Sequence, residues 1–450
     1  MGSLTRTTRR ILGLFASPDV RKITAVIPLH KYLDQAYKKV KSDPGDKLGP
    51  DLGLRTCIPI SIFLRSKGTG HEYAGVTDEI AGTVHHLDEE ECFSGSLIKV
   101  AAMFAAFQLR AEARALAKEV KSGTVVITGG TDALKVRDFF NKLEPKLNLG
   151  AAVPQISGAA NTNKKPIFAE ILEITGGFAA SATLDVQFTT DFKDHMRRMI
   201  VPSDNCSAGE CIFRLSYPYI NVKLMEAGFF NKDSMKGVWL CGDYIVTSPP
   251  ADACFNKDKS RPFIRIDTVN DCDQVTHFCG SAQNTTAKQL ASLFFKILLK
   301  ELVDEESSQE MRTLLHEGQF GTPPMRERSF LTRPSDCTTP LLFDVDAVKI
   351  GQGPSKRDPG RGGADLQVRS EGLLIKWKHI TPGEPDFDPA LKKKFDDLNL
   401  TGEGAICWQN FPNQLPTGGG LVVDGIAEII NTALANFINQ VPLTTPPTTP

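Results

Sequence analysis

No apolar run in this 450-residue chain approaches the roughly 20 residues needed to cross a bilayer. The apolar stretch from Ile11 to Ala16, behind Arg9 and Arg10, is also too short for a convincing secretory leader. An excess of either charge is missing too: 52 Lys and Arg stand against 53 Asp and Glu, a net charge of −1. That balance gives no electrostatic reason to expect nucleic acid or an anionic membrane as a partner. None of the ten cysteines falls in a Cys-x-x-Cys pair, which removes the zinc-knuckle and dithiol redox readings. Scattered cysteines are expected to be reduced and mostly buried, so the chain is expected to be cytoplasmic, or exported with its leader removed. His85-His86 and His277-x-Cys279 have no matching third ligand, so no metal is expected. Gly129-Gly130 lacks the glycine spacing and the Lys-Ser/Thr of a phosphate loop, so no nucleotide cofactor is expected either. Internal repeats are absent.

What is present starts at Ser94-Gly95-Ser96 and continues to Arg110, almost wholly apolar and rich in Ala from Leu97 onward. Such a stretch predicts a helix buried on all sides rather than an amphipathic surface helix. Its first turn carries Ser96 and Lys99. Residues three apart share a helix face, so the amine can reach the hydroxyl. An ammonium at a dry helix terminus is costly to keep charged, and its pKa should fall toward neutrality. A neutral Lys99 can take the Ser96 proton and make a nucleophile of it.

Along the chain, residues 1–54 read as an N-terminal extension with a helix over Leu29–Val40, and residues 441–450 as a disordered Thr/Pro tail. Cys57–Leu64 and His71–Val76 read as a hairpin around Gly68-Thr69-Gly70. A strand is conceivable at Thr124–Thr128, and Asp191–Ile200 reads as a helix stopped by Pro202. One apolar-periodic stretch then runs from Asn205 to Gly228, and residues 229–280 read as loop with short elements. Thr285-Thr286 opens a helix over Ala287–Leu302, with a second over Ser307–His316. Strands are expected at Leu341–Lys349, Gln367–Lys376 and Glu403–Trp408, and a terminal helix at Leu421–Gln440.

Three short motifs stand in these elements. Ser96-x-x-Lys99 is the only Ser-x-x-Lys of the chain, Ser203-Asp204-Asn205 lies in a turn between two helices, and Lys349-Ile350-Gly351 lies on a strand. Singly, the first could be a capped core helix, the second an ordinary helix N-cap and the third a surface lysine. Together and in this order they resemble the penicillin-recognising serine enzymes, that is, the serine β-lactamases, most nearly class A, and the D-Ala-D-Ala peptidases. The resemblance spans residues 55–440 and implies an α+β fold: an antiparallel five-stranded sheet flanked by helices (55–95 and 340–440), plus an all-α part (96–339). Residues 121–190 and 229–280 look like insertions in it.

The resemblance implies a serine hydrolase that cleaves an amide, a β-lactam among them, or an ester through an acyl-Ser96 intermediate. Lys99 would be its base and Ser203 the hydroxyl that relays a proton to the leaving amine. Asn205, Lys349, Gly351 and Gln352 would bind substrate, with the backbone N–H groups of Ser96 and Gln352 forming the oxyanion hole. A D-Ala-D-Ala peptidase, which would need export, and a non-catalytic binding protein that kept the pocket are the alternatives. Two departures from the family stand out. Ile350 replaces the usual hydroxyl residue that helps bind the β-lactam carboxylate. The segment 229–280, where class A enzymes carry a deacylating glutamate, has no glutamate at all; Glu226, near the end of a predicted helix, is a poor candidate, and Asp243 is an unsupported one that reads first as a solvated loop carboxylate. Acylation is therefore expected and fast β-lactam turnover is not. The Arg-rich stretch Lys356-Arg357 to Arg361 points to a substrate other than a standard penicillin, still anionic.

Overall fold

The computed structural model describes residues 29–42, 59–66, 72–76, 91–149, 156–157, 165–179, 183–231, 236–240, 264–265, 284–320, 331, 338–355, 366–412 and 420–440. In chain order, helix α1 (Leu29–Lys41) precedes the hairpin β1 (Ile60–Ser66) and β2 (Glu72–Val76), and the short strand β3 (Glu91–Phe93) follows. A 3-10 turn, Gly95–Ile98, leads into α2 (Lys99–Lys121), and α3 (Asp132–Leu143) comes next. The one-turn helix α4 (Phe168–Ile171) introduces the hairpin β4 (Leu172–Gly176) and β5 (Leu184–Phe188). Helices α5 (Thr190–Ile200), α6 (Asn205–Leu215) and α7 (Tyr217–Glu226) follow. Beyond β6 (Asn284–Thr286) lie α8 (Ala287–Leu298) and α9 (Glu305–Phe320). The chain closes with β7 (Phe343–Ser355), β8 (Leu366–Trp377), α10 (Pro389–Asp397), β9 (Leu400–Pro412) and α11 (Gly420–Gln440).

Five strands form one antiparallel sheet in the order β7-β8-β9-β1-β2, so the early hairpin is added to a late meander through the β1–β9 pairing. Side chains alternate faces along a strand, and the sheet divides two cores on that basis. Ile60, Ile62 and Leu64 of β1 pack with the terminal helices α1 and α11, while Phe63 joins the core built around α2 and α8. The fold is thus α+β, with helices on both faces and a helical part assembled from the middle of the chain.

Strand β7 breaks its own alternation. Phe343 and Val345 face the terminal helices, but so do Val348 and Ile350, whereas Ala347 faces the α2 core. The pairing with β8 slips between Val345 and Ala347, leaving Asp346 as the extra residue of a β-bulge. Arg312 of α9 holds the Asp346 carboxylate at 2.8 Å, Lys376 of β8 holds it at 2.5 Å, and His316 reaches the Asp346 carbonyl at 2.8 Å. Without the bulge Lys349 and Gly351 would point at the terminal helices. With it, they point at α2.

Several local expectations need correction. Ser96 sits in a 3-10 turn, and the α-helix proper begins at Lys99. Burial on all sides holds from Leu97 through Phe107; beyond it the helix is amphipathic. Residues 124–128 form no strand, and Val126 is exposed. The stretch 205–228 is two helices, broken at Ser216, which takes a φ of 69° and caps α7 through its hydroxyl. Pro218 explains the break, because it has no N–H to donate to residue 214. Strands β7 and β9 outrun their expected ends. Cys206 is disulfide-bonded, so the thiols are not all reduced as expected, although Cys211 and Cys407 are free and buried. Among the described residues no helix is long and apolar enough to cross a membrane, and no group of His, Cys, Asp and Glu could hold a metal.

Arg110 pins α2 to its neighbours. Its guanidinium lies 4.8 Å from the centroids of both Phe107 and Phe188, and it donates to Glu310 of α9 at 2.6 and 3.1 Å and to Ser307 at 3.2 Å. The aromatic faces and the carboxylate together compensate for taking the charge out of water. Glu310 stays partly solvated, so Arg110→Met should lower stability by about 2–3 kcal/mol rather than the full value of a buried pair, as read from urea unfolding.

Candidate active site

Three segments converge where the α2 core meets the inner face of the sheet. The first is the turn Gly95–Ile98, closed by a hydrogen bond from the Leu97 N–H to the Ser94 carbonyl at 3.1 Å. Gly95 has a φ of 53°, a left-handed conformation that glycine tolerates. Ser96 is half-buried, and Lys99 and its neighbours are fully buried.

The second segment is strand β7, which lies against that turn backbone to backbone. A Cβ on Gly351 would run into the Ser94 carbonyl and the Leu97 nitrogen, and a Cβ on Gly95 would meet the backbone of Gln352. Both positions must be glycine for the turn and the strand to touch. The contact places the Gln352 backbone beside the residue that precedes Ser96. The Gln352 side chain is exposed.

The third segment is the turn between α5 and α6. Asp204 caps α6, accepting from the backbone N–H of Ser207 at 2.9 Å and of Cys206 at 3.3 Å. Ser203, just before it, has a φ of 62°, an uncommon and strained conformation for a residue with a side chain. Two bonds hold it there: the Asp204 N–H to the Arg198 carbonyl at 2.9 Å, and Lys99 Nζ to the Ser203 carbonyl at 2.6 Å.

The two lysines meet on Ser203. Lys99 Nζ lies 2.6 Å from Asn205 Oδ1 and 3.3 Å from Ser203 Oγ, and Lys349 Nζ donates to the same Oγ at 2.5 Å. With both lone pairs of that oxygen facing lysines, its own proton is free to point elsewhere. Lys349 is wholly buried, not the surface lysine its isolated motif would suggest. Burial lowers the pKa of Lys99 to about 7, and the opposing attraction of Asp204 recovers only part of the loss. Asp204 itself is pushed up by burial, yet the Ser207 side chain and the backbone N–H groups it accepts outweigh this and hold it below the usual carboxylate range.

The structure therefore joins Lys99, Ser203, Asn205 and Lys349 by direct hydrogen bonds, and brings Gly351 and Gln352 against the turn that carries Ser96. Ile350 turns its side chain into the core under the terminal helices, away from Lys349. Glu226 lies at the end of α7, tied to Lys223 at 2.8 Å and Asn148 at 2.9 Å. Asp243, His85, His86, His277, Cys279 and the stretch 356–361 lie outside the described residues. Sequence reasoning missed the roles of Gly95 and Asp346. The first could have been found from glycine next to a candidate nucleophile. The second was visible as a slip in the apolar alternation, from Phe343 and Val345 to Val348 and Ile350.

No family model and no curated protein matches the chain. Some solved structures are similar at low identity and low TM-score. A class A β-lactamase from Bacteroides cellulosilyticus is 10% identical over 90% of this chain and 98% of its own, with a TM-score of 0.40. The chromosome-encoded β-lactamase of Vibrio parahaemolyticus is 9% identical over 88% and 97%, with a TM-score of 0.39. PBP-A is 13% identical over 91% and 97%, with a TM-score of 0.38. Similarities this distant carry no argument, and the reading of the site rests on its side chains.

The contact at Gly351 is backbone against backbone and cannot yield by a rotamer change. Gly351→Ala should cost about 1–3 kcal/mol in urea unfolding, as overpacking does, and should reduce labelling of Ser96 by an active-site electrophile far more than that loss of folded protein explains.

Proposed function

We propose that the protein is a serine hydrolase or acyltransferase that forms an acyl-enzyme on Ser96. The observation that carries this reading is Lys99: a fully buried amine, brought to about 7, three residues from a half-buried serine and bonded to Ser203 and Asn205.

In the free-base form Lys99 has a lone pair for the Ser96 proton as Oγ attacks a carbonyl carbon. The negative charge that develops on the carbonyl oxygen would fall beside the turn and strand that meet at Gly95 and Gly351, where the backbone N–H groups of Ser96 and Gln352 can receive it. Donors fixed before the reaction need no reorganisation when charge appears. Ser203, with Lys99 on one side and Lys349 on the other, can pass a proton from Lys99 to the departing amine or alkoxide. Its left-handed backbone would hold that hydroxyl in place. Proton, acyl group and leaving group are then all accounted for: the C–N or C–O bond breaks, the Ser96 ester forms, and the leaving group departs protonated.

Deacylation is less well provided for. Among the described residues Asp204 is the carboxylate coupled electrostatically to Lys99, and its oxygens are committed to capping α6. An acyl-enzyme should therefore accumulate. Ile350, buried under the terminal helices, offers no hydroxyl to a substrate carboxylate, which favours substrates other than standard penicillins.

Intact-protein mass spectrometry with a fluorescent penicillin and with an activated ester tests the reading. A covalent adduct is expected on wild type and none on Ser96→Ala, which should keep its melting temperature. Lys99→Met should slow acylation by about 10²–10⁴-fold, the usual contribution of a positioned base. Because Lys99 acts as the neutral amine, the acylation rate should rise with pH through about 7 and level off above it. Equal labelling of Ser96→Ala would refute the nucleophile.

A further inference from the structure

Asp204 lies between two residues of the proposed machinery, and what stands behind it has a defined chemistry. Ser207, on the first turn of α6, is wholly buried, and its Oγ lies 3.3 Å from Nδ1 of His195 on α5. The imidazole is largely shielded, with 17% of its side chain exposed. Its Nδ1 is also 3.2 Å from the Arg198 guanidinium, and its Nε2 lies 3.8 Å from Asp191. His195 thus meets Ser207, the Ser207 side chain bears on the Asp204 carboxylate, and Asp204 acts on Lys99 through its charge.

The link has two arrangements, because the Ser207 hydroxyl has a single proton. When His195 is neutral with its proton on Nε2, Nδ1 has one lone pair, and when the Ser207 hydroxyl rather than Arg198 donates to it, Asp204 is left with its backbone donors alone. When His195 is protonated, Nδ1–H donates to Ser207 Oγ and the hydroxyl proton turns to Asp204. A carboxylate with one more hydrogen bond attracts the Lys99 ammonium less. Protons on His195 and Lys99 therefore oppose each other.

We propose that His195 is a positioning residue of the Ser96 site, acting through Ser207 and Asp204 on the Ser203–Asn205 turn and on Lys99. The consequence for rate rests on the acyl-transfer reading; the coupling itself does not. The charged groups around His195 set its environment. On its own helix these are Asp191 and Arg198, the latter paired with Asp194. From α6 comes Arg214, which binds Asp191 at 2.6 Å and lies near Glu210 and Glu170 of α4. On the other elements packed against α5, Glu317 of α9 is held by Arg197 and Arg110 of α2 by Glu310, bonded to one another rather than to His195.

Two readouts on the full chain test the proposal. In ¹⁵N-labelled protein, the amide shifts of Cys206 and Ser207, both donors to Asp204, should follow the titration of the His195 Cε1–H in wild type and cease to follow it in Ser207→Ala. The pH profile of Ser96 acylation by an activated ester should show an ionisation at the His195 midpoint besides that of Lys99. In His195→Gln and in Ser207→Ala that extra ionisation should vanish while the rise through about 7 stays. Amide shifts that track His195 equally in Ser207→Ala would overturn the relay, as would a His195→Gln profile that matches wild type. A wild type that never acylates would sink the acyl-transfer reading alone, and the amide titration would then decide the coupling by itself.

Discussion

The site depends on one steric constraint: strand β7 must touch the turn that carries Ser96 with nothing between the two backbones. Gly351 and Gly95 permit that contact, and any side chain at either would push the strand away. Only a strand in the right phase can use it. The bulge at Asp346, held by Arg312, Lys376 and His316, shifts the alternation of β7 so that Lys349 and Gly351 face α2 instead of the terminal helices. A network of ions at the sheet edge thus determines where a lysine several residues away points.

Given that contact, desolvation sets the state of Lys99. Lys99 is sealed by the apolar first turns of α2, and burial outweighs the attraction of Asp204. The amine is stabilised in its neutral form while its hydrogen bonds to Ser203 and Asn205 fix its place. The same bonds restrain Ser203 in its left-handed conformation, so the residue that tunes the base also holds the proposed proton carrier. Strain at that turn is sustained by the packing around it, a pattern common at functional sites.

Much of this was legible in the residues. Thr286 before an apolar-periodic run announced α8, the pattern of residues 29–40 announced α1, and the alternating late segments announced the sheet. The three motifs are short, yet their order and the elements that carry them pointed to a serine with a lysine base, the reading proposed above. What escaped has physical reasons. The helix break at Ser216 followed from Pro218, but an unbroken apolar period on both sides concealed it. The hairpin β4–β5 pairs strands with mixed polar faces, so neither alternation stood out. His195 and Ser207 carry no motif at all. Their contact arises only because the turn at Ser203–Asp204 folds α6 back on α5, and tertiary geometry of that kind is not written in local periodicity.

The central claim is that burial makes Lys99 a neutral amine near physiological pH, and lysine side-chain NMR tests it most directly. In protein labelled with ¹³C at lysine Cε, one resonance should titrate at about 7 and be absent from Lys99→Met. A Lys99 resonance that titrates near the unperturbed lysine value of about 10.4 would mean that the amine stays charged at neutral pH, and the account of Ser96 activation would be wrong.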